Sequence, residues 1–256
     1  MGDICSHSHV ATIGLLLVLN LTHGWKSRQL DLVLAYPQAD IVGMIFMCLP
    51  KGFELDGRSY KLSQPLLIKQ ILQAMGFNSR TKLKDIPSLS SKIIHRDLDR
   101  VTHDTPREYR RVLGQLNFLK KSTRPDIAYA VHQCTRFVAS PKSSLKQVML
   151  RTGRYLMKTR DRGMIMKTKG ASLELCCDED FCSNCNPDMV HVDKSTSKYR
   201  NGSIVMFAGY LLTCASQLQT ETALSTTEAE FIALSEGLRT TIPIMKLIDE
   251  LRERNV

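Results

Sequence analysis

A chain of 256 residues is long enough for one large domain or two small ones. Hydrophobic residues make up 43% and charged residues 23%, which excludes disorder as the whole account. The 35 Lys+Arg against 25 Asp+Glu leave a net charge of +10, an excess that suits a polyanionic partner and equally suits a plain basic surface.

The 8 cysteines do not make a disulfide framework. Cys5, Cys48 and Cys134 are scattered, and Cys176, Cys177, Cys182, Cys185 and Cys214 fall in the last third. The thiols therefore read as reduced and the chain as intracellular, in cytoplasm or nucleus. The apolar run from Val10 to Leu21 is too short to span a bilayer, and no basic residue opens it as in a secretory leader. It reads as a buried helix, and no membrane partner is expected. No phosphate-binding glycine loop, nucleophile elbow or zinc-protease helix motif is present, so no small-molecule substrate is evident.

Four blocks follow in chain order. In the first, Gln29 to Tyr36 embeds Asp31 in a strand-like apolar run, and Ile45 to Leu49 reads as a second strand closed by Pro50-Lys51-Gly52. In the second, Ser63-Gln64-Pro65 starts a helix that carries Leu66, Leu67, Gln70 and Ile71 and stops at Gly76. Residues 78–106 are polar and read as an irregular connector.

The third block predicts helices over Pro106 to Lys121, Arg124 to Val138 and Pro141 to Thr159. Pro125 fits a first helical turn behind Ser122 or Thr123 as cap. The third helix carries Lys146, Arg151, Arg154 and Lys158, the last three at i, i+3, i+7 on one face. That stripe could track a phosphate backbone or be a solvated surface.

The fourth block opens with a strand, Leu173 to Asp178. Ser203–Ala208 and Tyr210–Gln217 form a hairpin turning at Gly209, and a helix runs from Ser225 towards Arg239. Ser225-Thr226-Thr227-Glu228 matches a capping box in which Glu228 bonds back to the cap residue's own N–H. Glu230 lies about 200° around the helix from Glu228 and is the acid able to face the sheet, while Glu236 reads as surface. Asp178 and Glu230 from separate elements could converge on Mg²⁺, which takes one or two carboxylates and fills its shell with water and phosphate oxygens. Two such ions can activate a water against a phosphodiester. The Cys182-x-x-Cys185 pair, near Cys176, Cys177 and His191, lacks the second pair that a closed zinc site needs.

Taken together these segments resemble the copia-type retrotransposon Pol polyprotein. His23-Gly24-Trp25-Lys26, Gln29 to Asp40 and Met47 to Phe53 look like its reverse transcriptase. Lys121-Ser122-Thr123-Arg124-Pro125-Asp126-Ile127-Ala128-Tyr129-Ala130-Val131 is similar to the segment joining polymerase to ribonuclease H. Gln219 to Ser235 resembles the ribonuclease H core. The resemblance implies an α+β chain in three parts: a reverse-transcriptase palm remnant over 9–76, a mostly helical connection over 77–170, and over 171–256 an incomplete ribonuclease H-like mixed sheet with one packed helix. It assigns Asp31 to the first palm carboxylate and Asp178 and Glu230 to ribonuclease H metal ligands, with Mg²⁺ as cofactor and RNA, DNA or an RNA–DNA hybrid as partner.

The departures from that family decide the functional expectation. The sequence has no Asp-Asp pair, and it passes from Gly57 to Tyr60–Pro65, a segment that in the family lies well beyond the palm's aromatic-x-Asp-Asp hairpin. The middle of the palm is expected to be deleted. The chain ends at Val256, where the family continues to a further ribonuclease H aspartate, so truncation is expected too. The leading expectation is a degenerate, catalytically inactive reverse transcriptase/ribonuclease H fragment with residual nucleic-acid binding. The alternatives are a residual Mg²⁺-dependent hybrid ribonuclease that recruits Asp188, Asp193 or Asp249, and a domesticated nucleic-acid-binding or interaction module.

Overall fold

The computed structural model describes residues 14, 15, 18, 19, 55, 56, 59–88, 106–138, 143–166, 170–180, 190, 191 and 193–253. The expectations for Asp31, for the strands around it and for Cys182 and Cys185 lie outside these residues. Over the described residues the chain is mixed α+β. Its elements are β1 (Leu55–Asp56), β2 (Ser59–Leu62), α1 (Pro65–Ala74), α2 (Pro106–Ser122), a 3-10 turn (Pro125–Ile127), α3 (Ala128–Thr135), α4 (Ser143–Lys158), β3 (Met164–Met166), β4 (Leu173–Asp180), β5 (Arg200–Phe207), β6 (Tyr210–Leu218) and α5 (Thr226–Glu253).

Helix α1 begins at the proline that sequence predicts, because a first-turn proline forfeits only an N–H that has no helical partner. It ends before Gly76, whose φ of 70° suits glycine. Ile68 and Ile71 are its buried residues, while Leu66 is 75% exposed. Together with Tyr109, Leu116, Ile127, Val131, Leu145 and Leu156 they form one apolar core of four helices. Met75 and Phe77 lie over Gly153 of α4, where an added Cβ would come within 2.4 Å of the Met75 sulfur. Strand β2 pairs antiparallel with β3, about a hundred residues later in sequence. The packing therefore groups α1 with the helices of 106–158.

The second core belongs to the antiparallel sheet β4-β5-β6. Val205, Phe207, Tyr210 and Leu212 from the sheet meet Ile244 and Ile248 of α5 and the helical residues Leu15, Val18 and Leu19. The β5–β6 hairpin turns at Ala208 and Gly209, both at positive φ (52° and 77°). That geometry matches the right-handed twist of the paired strands.

Successive strand residues point to opposite faces, so the register divides this sheet cleanly. On β4, Leu173, Leu175, Cys177 and Glu179 are half-buried, and Glu174, Cys176, Asp178 and Asp180 are exposed. Helix α5 covers the first set: a Cβ on Gly237 would meet the Cys177 sulfur at 2.3 Å and Leu175 at 3.1 Å. Helix α3 sits against the other face near β6, where Arg200 Nη1 reaches His132 Nδ1 at 2.9 Å and Ser216 Oγ at 3.4 Å.

Three local expectations are corrected. Helix α5 does not stop near Arg239 but continues to Glu253 through Pro243. Pro243 removes one i→i−4 donor, and burial of Ile244 and Ile248 beyond it keeps the last turns docked. Neither Ser122 nor Thr123 caps the turn at Pro125. Arg124 occupies the cap position without a side-chain cap, while Ser122 and Thr123 donate to Gln64 Oε1 (3.0 and 3.4 Å). Asp178 is not at a strand end, since β4 runs on to Asp180.

Candidate functional site

Ser225 caps α5 as its sequence predicts, accepting from the Glu228 N–H at 3.1 Å. The return bond differs by one residue from expectation: the Glu228 carboxylate accepts from the N–H of Leu224 at 2.6 Å, not from that of Ser225. Glu228 is thereby committed to the helix start. Glu236 is half-buried and engaged with the sheet. Its Oε2 accepts from Asn201 Nδ2 (2.9 Å) and Gln217 Nε2 (3.1 Å). Buried Gln219 completes this layer, donating to Asn201 Oδ1 (2.6 Å) and the Ala229 carbonyl (2.9 Å). The amides of Asn201, Gln217 and Gln219 fasten the first half of α5 to the sheet, which is how the Gln219 end of the family-like segment acts structurally.

The proposed metal ligands are carried on different elements, Asp178 on β4 and Glu230 on α5. Glu230 is carried by α5, on the face of the sheet that bears Leu175, Cys177 and Glu179, whereas Asp178 projects from the opposite face. Of the neighbouring carboxylates, Glu230 acts most strongly on Glu179, a residue that the sequence offers no reason to single out. Partial burial, then the nearby Glu230, Asp178 and Asp180 carboxylates, raise the Glu179 carboxyl above its ordinary value. The substitute acids fare no better. Asp193 is buried and ion-paired to Arg136 at 3.9 Å. Asp249 faces Arg252 at 3.7 Å, more than five helical turns from Glu230. Asp188 lies outside the described residues. Among the described residues no group of three or more His, Cys, Asp or Glu side chains is placed to hold a metal ion. A Mg²⁺ ion needs its carboxylates aimed at one point. Alternation along β4 turns Asp178 away from the face that α5 covers, which does not favour that arrangement. Cys176 and Cys177 likewise leave β4 on opposite faces and cannot share one metal.

The basic residues of α4 are only partly available. Lys146 is exposed and Arg151 and Arg154 are half-buried. Lys158 is exposed but ion-paired to Asp85, whose carboxyl this pairing holds below the ordinary value. The stripe is thus present as a face, with one of its cations already neutralised.

A dense polar cluster surrounds Arg124, which is 2% exposed. Its Nε and Nη2 donate to the two oxygens of Asp126 at 2.9 and 2.8 Å. Its Nη1 donates to the Thr159 carbonyl at 2.9 Å, and Nη2 also donates to Thr159 Oγ1 at 2.6 Å. The Tyr155 hydroxyl donates to Asp126 Oδ2 at 2.6 Å, and the guanidinium lies 5.4 Å from the Tyr155 ring centre. Burial pushes the Asp126 carboxyl up, and the bonds from Arg124 and Tyr155 overcome it and hold it below the ordinary value. Arg124 thus ties the end of α4 to the start of α3 through a planar fork that lysine could not supply. The Arg-Pro-Asp spelling at 124–126 is the signal that could have found this knot: proline fixes the turn that brings Asp126 back under Arg124.

No family profile and no solved structure matches the chain. Curated proteins do. The chain is 32% identical over 148 residues to the retrovirus-related Pol polyprotein from transposon RE1 of Arabidopsis thaliana, covering 57% of this chain and 9% of that protein. It is 27% identical over 232 residues to the retrovirus-related Pol polyprotein from transposon TNT 1-94 of Nicotiana tabacum, covering 89% of this chain and 16% of that protein. It is also 31% identical over 135 residues to secreted RxLR effector protein 161 of Plasmopara viticola, covering 52% of this chain and 89% of that protein. The chain is thus similar to segments of the retrovirus-related Pol polyproteins of copia-type transposons, at 27–32% identity. It spans well under a fifth of the length of the two Pol polyproteins just compared.

Proposed function

We propose that this retrotransposon-derived chain is a catalytically silent remnant of a reverse transcriptase/ribonuclease H region, keeping a folded scaffold with weak, sequence-independent affinity for RNA, DNA or their hybrid. One observation carries the reading: the two acids at the family's ribonuclease H positions, Asp178 and Glu230, sit on opposite faces of one sheet. Metal-dependent phosphodiester chemistry depends on carboxylates that hold the ions in place, and a pair split by a sheet cannot do so. The absence of any Asp-Asp pair in the sequence argues the same way for polymerase chemistry. Within this reading residues 171–256 are the ribonuclease H-like part, with β4, β5, β6 and α5 as its sheet and packed helix.

The test is cleavage of an RNA–DNA hybrid at millimolar Mg²⁺ or Mn²⁺. The expected outcome is no product above buffer background. Cleavage by the purified chain that vanishes in Asp178→Asn would instead establish the residual ribonuclease. Contaminating ribonuclease would not respond to that substitution.

A second reading, a domesticated binding or interaction module, has one observation of its own. The chain covers 89% of the Plasmopara relative, so most of that protein corresponds to this segment alone. Nucleic-acid affinity distinguishes the readings from a purely protein-directed module. Changing Lys146, Arg151 and Arg154 to Ala should lower the salt slope of duplex binding by up to about three, roughly 0.9 per lost phosphate contact. Asp85→Asn, which frees Lys158, should strengthen binding. An unchanged slope in the first variant would mark the stripe as solvated surface.

A further inference from the structure

We propose that the outer face of α5 docks a second copy of this chain, helix against helix and antiparallel, about a two-fold axis at Leu238. This rests on the helix surface and not on the functional reading above. Along α5 one line, Ala229, Ala233, Gly237, Thr241, Ile244 and Ile248, is buried against the sheet. A second apolar line is left uncovered: Phe231 (67% exposed), Leu234 (42%), Leu238 (39%), Ile242 (40%) and Met245 (45%). Scattered exposed leucines need no explanation, but a continuous stripe about 20 Å long does.

Its spacing points to the occupant. The intervals are three, four, four and three residues, a palindrome centred on Leu238. An antiparallel copy therefore places Phe231 opposite the other copy's Met245 and Leu234 opposite its Ile242, with Leu238 opposite itself, every knob in register. An unrelated partner gives no reason for that symmetry, whereas a two-fold contact requires self-complementarity. Two successive intervals of four keep the stripe close to the natural pitch of a straight helix, so little supercoiling is needed to hold the contact.

Charge selects the same orientation. Glu228 and Lys246 are eighteen residues, or about five turns, apart and share one flank of the stripe. Antiparallel pairing sets each Glu228 near the other copy's Lys246. Parallel pairing would put the two copies' Glu228–Lys246 flanks on opposite sides of the contact, so that no Glu228 meets a Lys246. Arg239, on that flank near the axis, lines a cavity of about 550 Å³ with Glu221, Glu228 and Glu236, whose carboxylates offset two guanidinium groups brought close together. Phe231 borders the same cavity, which leaves room for the partner's Met245 side chain.

Sedimentation velocity of the full chain, followed from about 1 to 100 µM, should show a monomer–dimer equilibrium. Leu238→Glu should weaken the dimer at least on the order of a hundredfold, since two charges then face each other at the centre of the contact. Its melting temperature at low concentration should match wild type, because Leu238 is not in the sheet core. Orientation is read by oxidative cross-linking against wild-type background. Leu238→Cys should cross-link to itself, while Phe231→Cys and Met245→Cys should cross-link only when mixed. A monomer at every concentration overturns the proposal, as does association untouched by Leu238→Glu. Phe231→Cys cross-linking to itself as readily as Leu238→Cys would also overturn it, since it signals parallel or unspecific contact.

Discussion

His132 shows how strongly single side chains are committed to scaffold here. Burial, then the neighbouring Arg200, Lys120 and Arg136 cations, push its imidazole down to about 3. Arginine only donates, so His132 Nδ1 accepts from Arg200 and the ring is neutral with its proton on Nε2. In the unfolded chain the same ring takes up a proton near its ordinary value of about 6.5. Between pH 3 and 6.5 the unfolded state therefore binds the extra proton, and stability should fall as pH drops through that window. Thermal melts across it should show the loss, and His132→Gln, which keeps an acceptor, should flatten it. The Arg124 knot makes the complementary prediction. Asp126→Ala leaves a buried guanidinium without its counter-ion and should cost about 3 kcal/mol in denaturant unfolding. A cost under about 0.5 kcal/mol would mean that Arg124 is held by the Thr159 bonds alone. Glu179 carries the opposite sign. Its raised carboxyl value makes ionisation unfavourable in the folded state, so Glu179→Gln should raise the melting temperature at pH 7 and leave it unchanged near pH 3.

At the scale of elements, the contact between α5 and β4 depends on Gly237. Its missing side chain lets the helix approach Cys177 and Leu175. Gly237→Val should destabilise the chain by about 1–3 kcal/mol through overpacking, although helix propensity alone favours losing glycine. Equal or greater stability would show that α5 stands further from the sheet than described. Much of this layer is legible in sequence. The capped start of α5, the proline start of α1 and the β5–β6 turn all lie where local rules put them, because each is set by residues a few positions apart. The far end of α5 is not legible, since Pro243 argues locally for a stop and only packing of Ile244 and Ile248 outweighs it. The face of Asp178 escaped the sequence for a related reason. Alternation fixes which residues share a face of β4, but which face α5 covers is decided by register and by Gly237, more than fifty residues away.

For the whole molecule, two cores of different kinds, one helical and one sheet-based, account for the globular composition. No helix among the described residues is long and apolar enough to cross a membrane. The copia-type resemblance was legible because its segments are long and collinear, and the relatives at 27–32% identity agree with it. A metal centre is harder to read than a family likeness, because it depends on angles between side chains that no spacing along the chain fixes. The central claim, that Asp178 and Glu230 do not share an ion, can be read without any activity. Backbone amide spectra of the full chain titrated with Mn²⁺ should show no joint broadening of Glu230 and of Gly202, the residue opposite Asp178 in the sheet. Selective loss of both signals at sub-millimolar Mn²⁺, abolished by Asp178→Asn, would contradict the account.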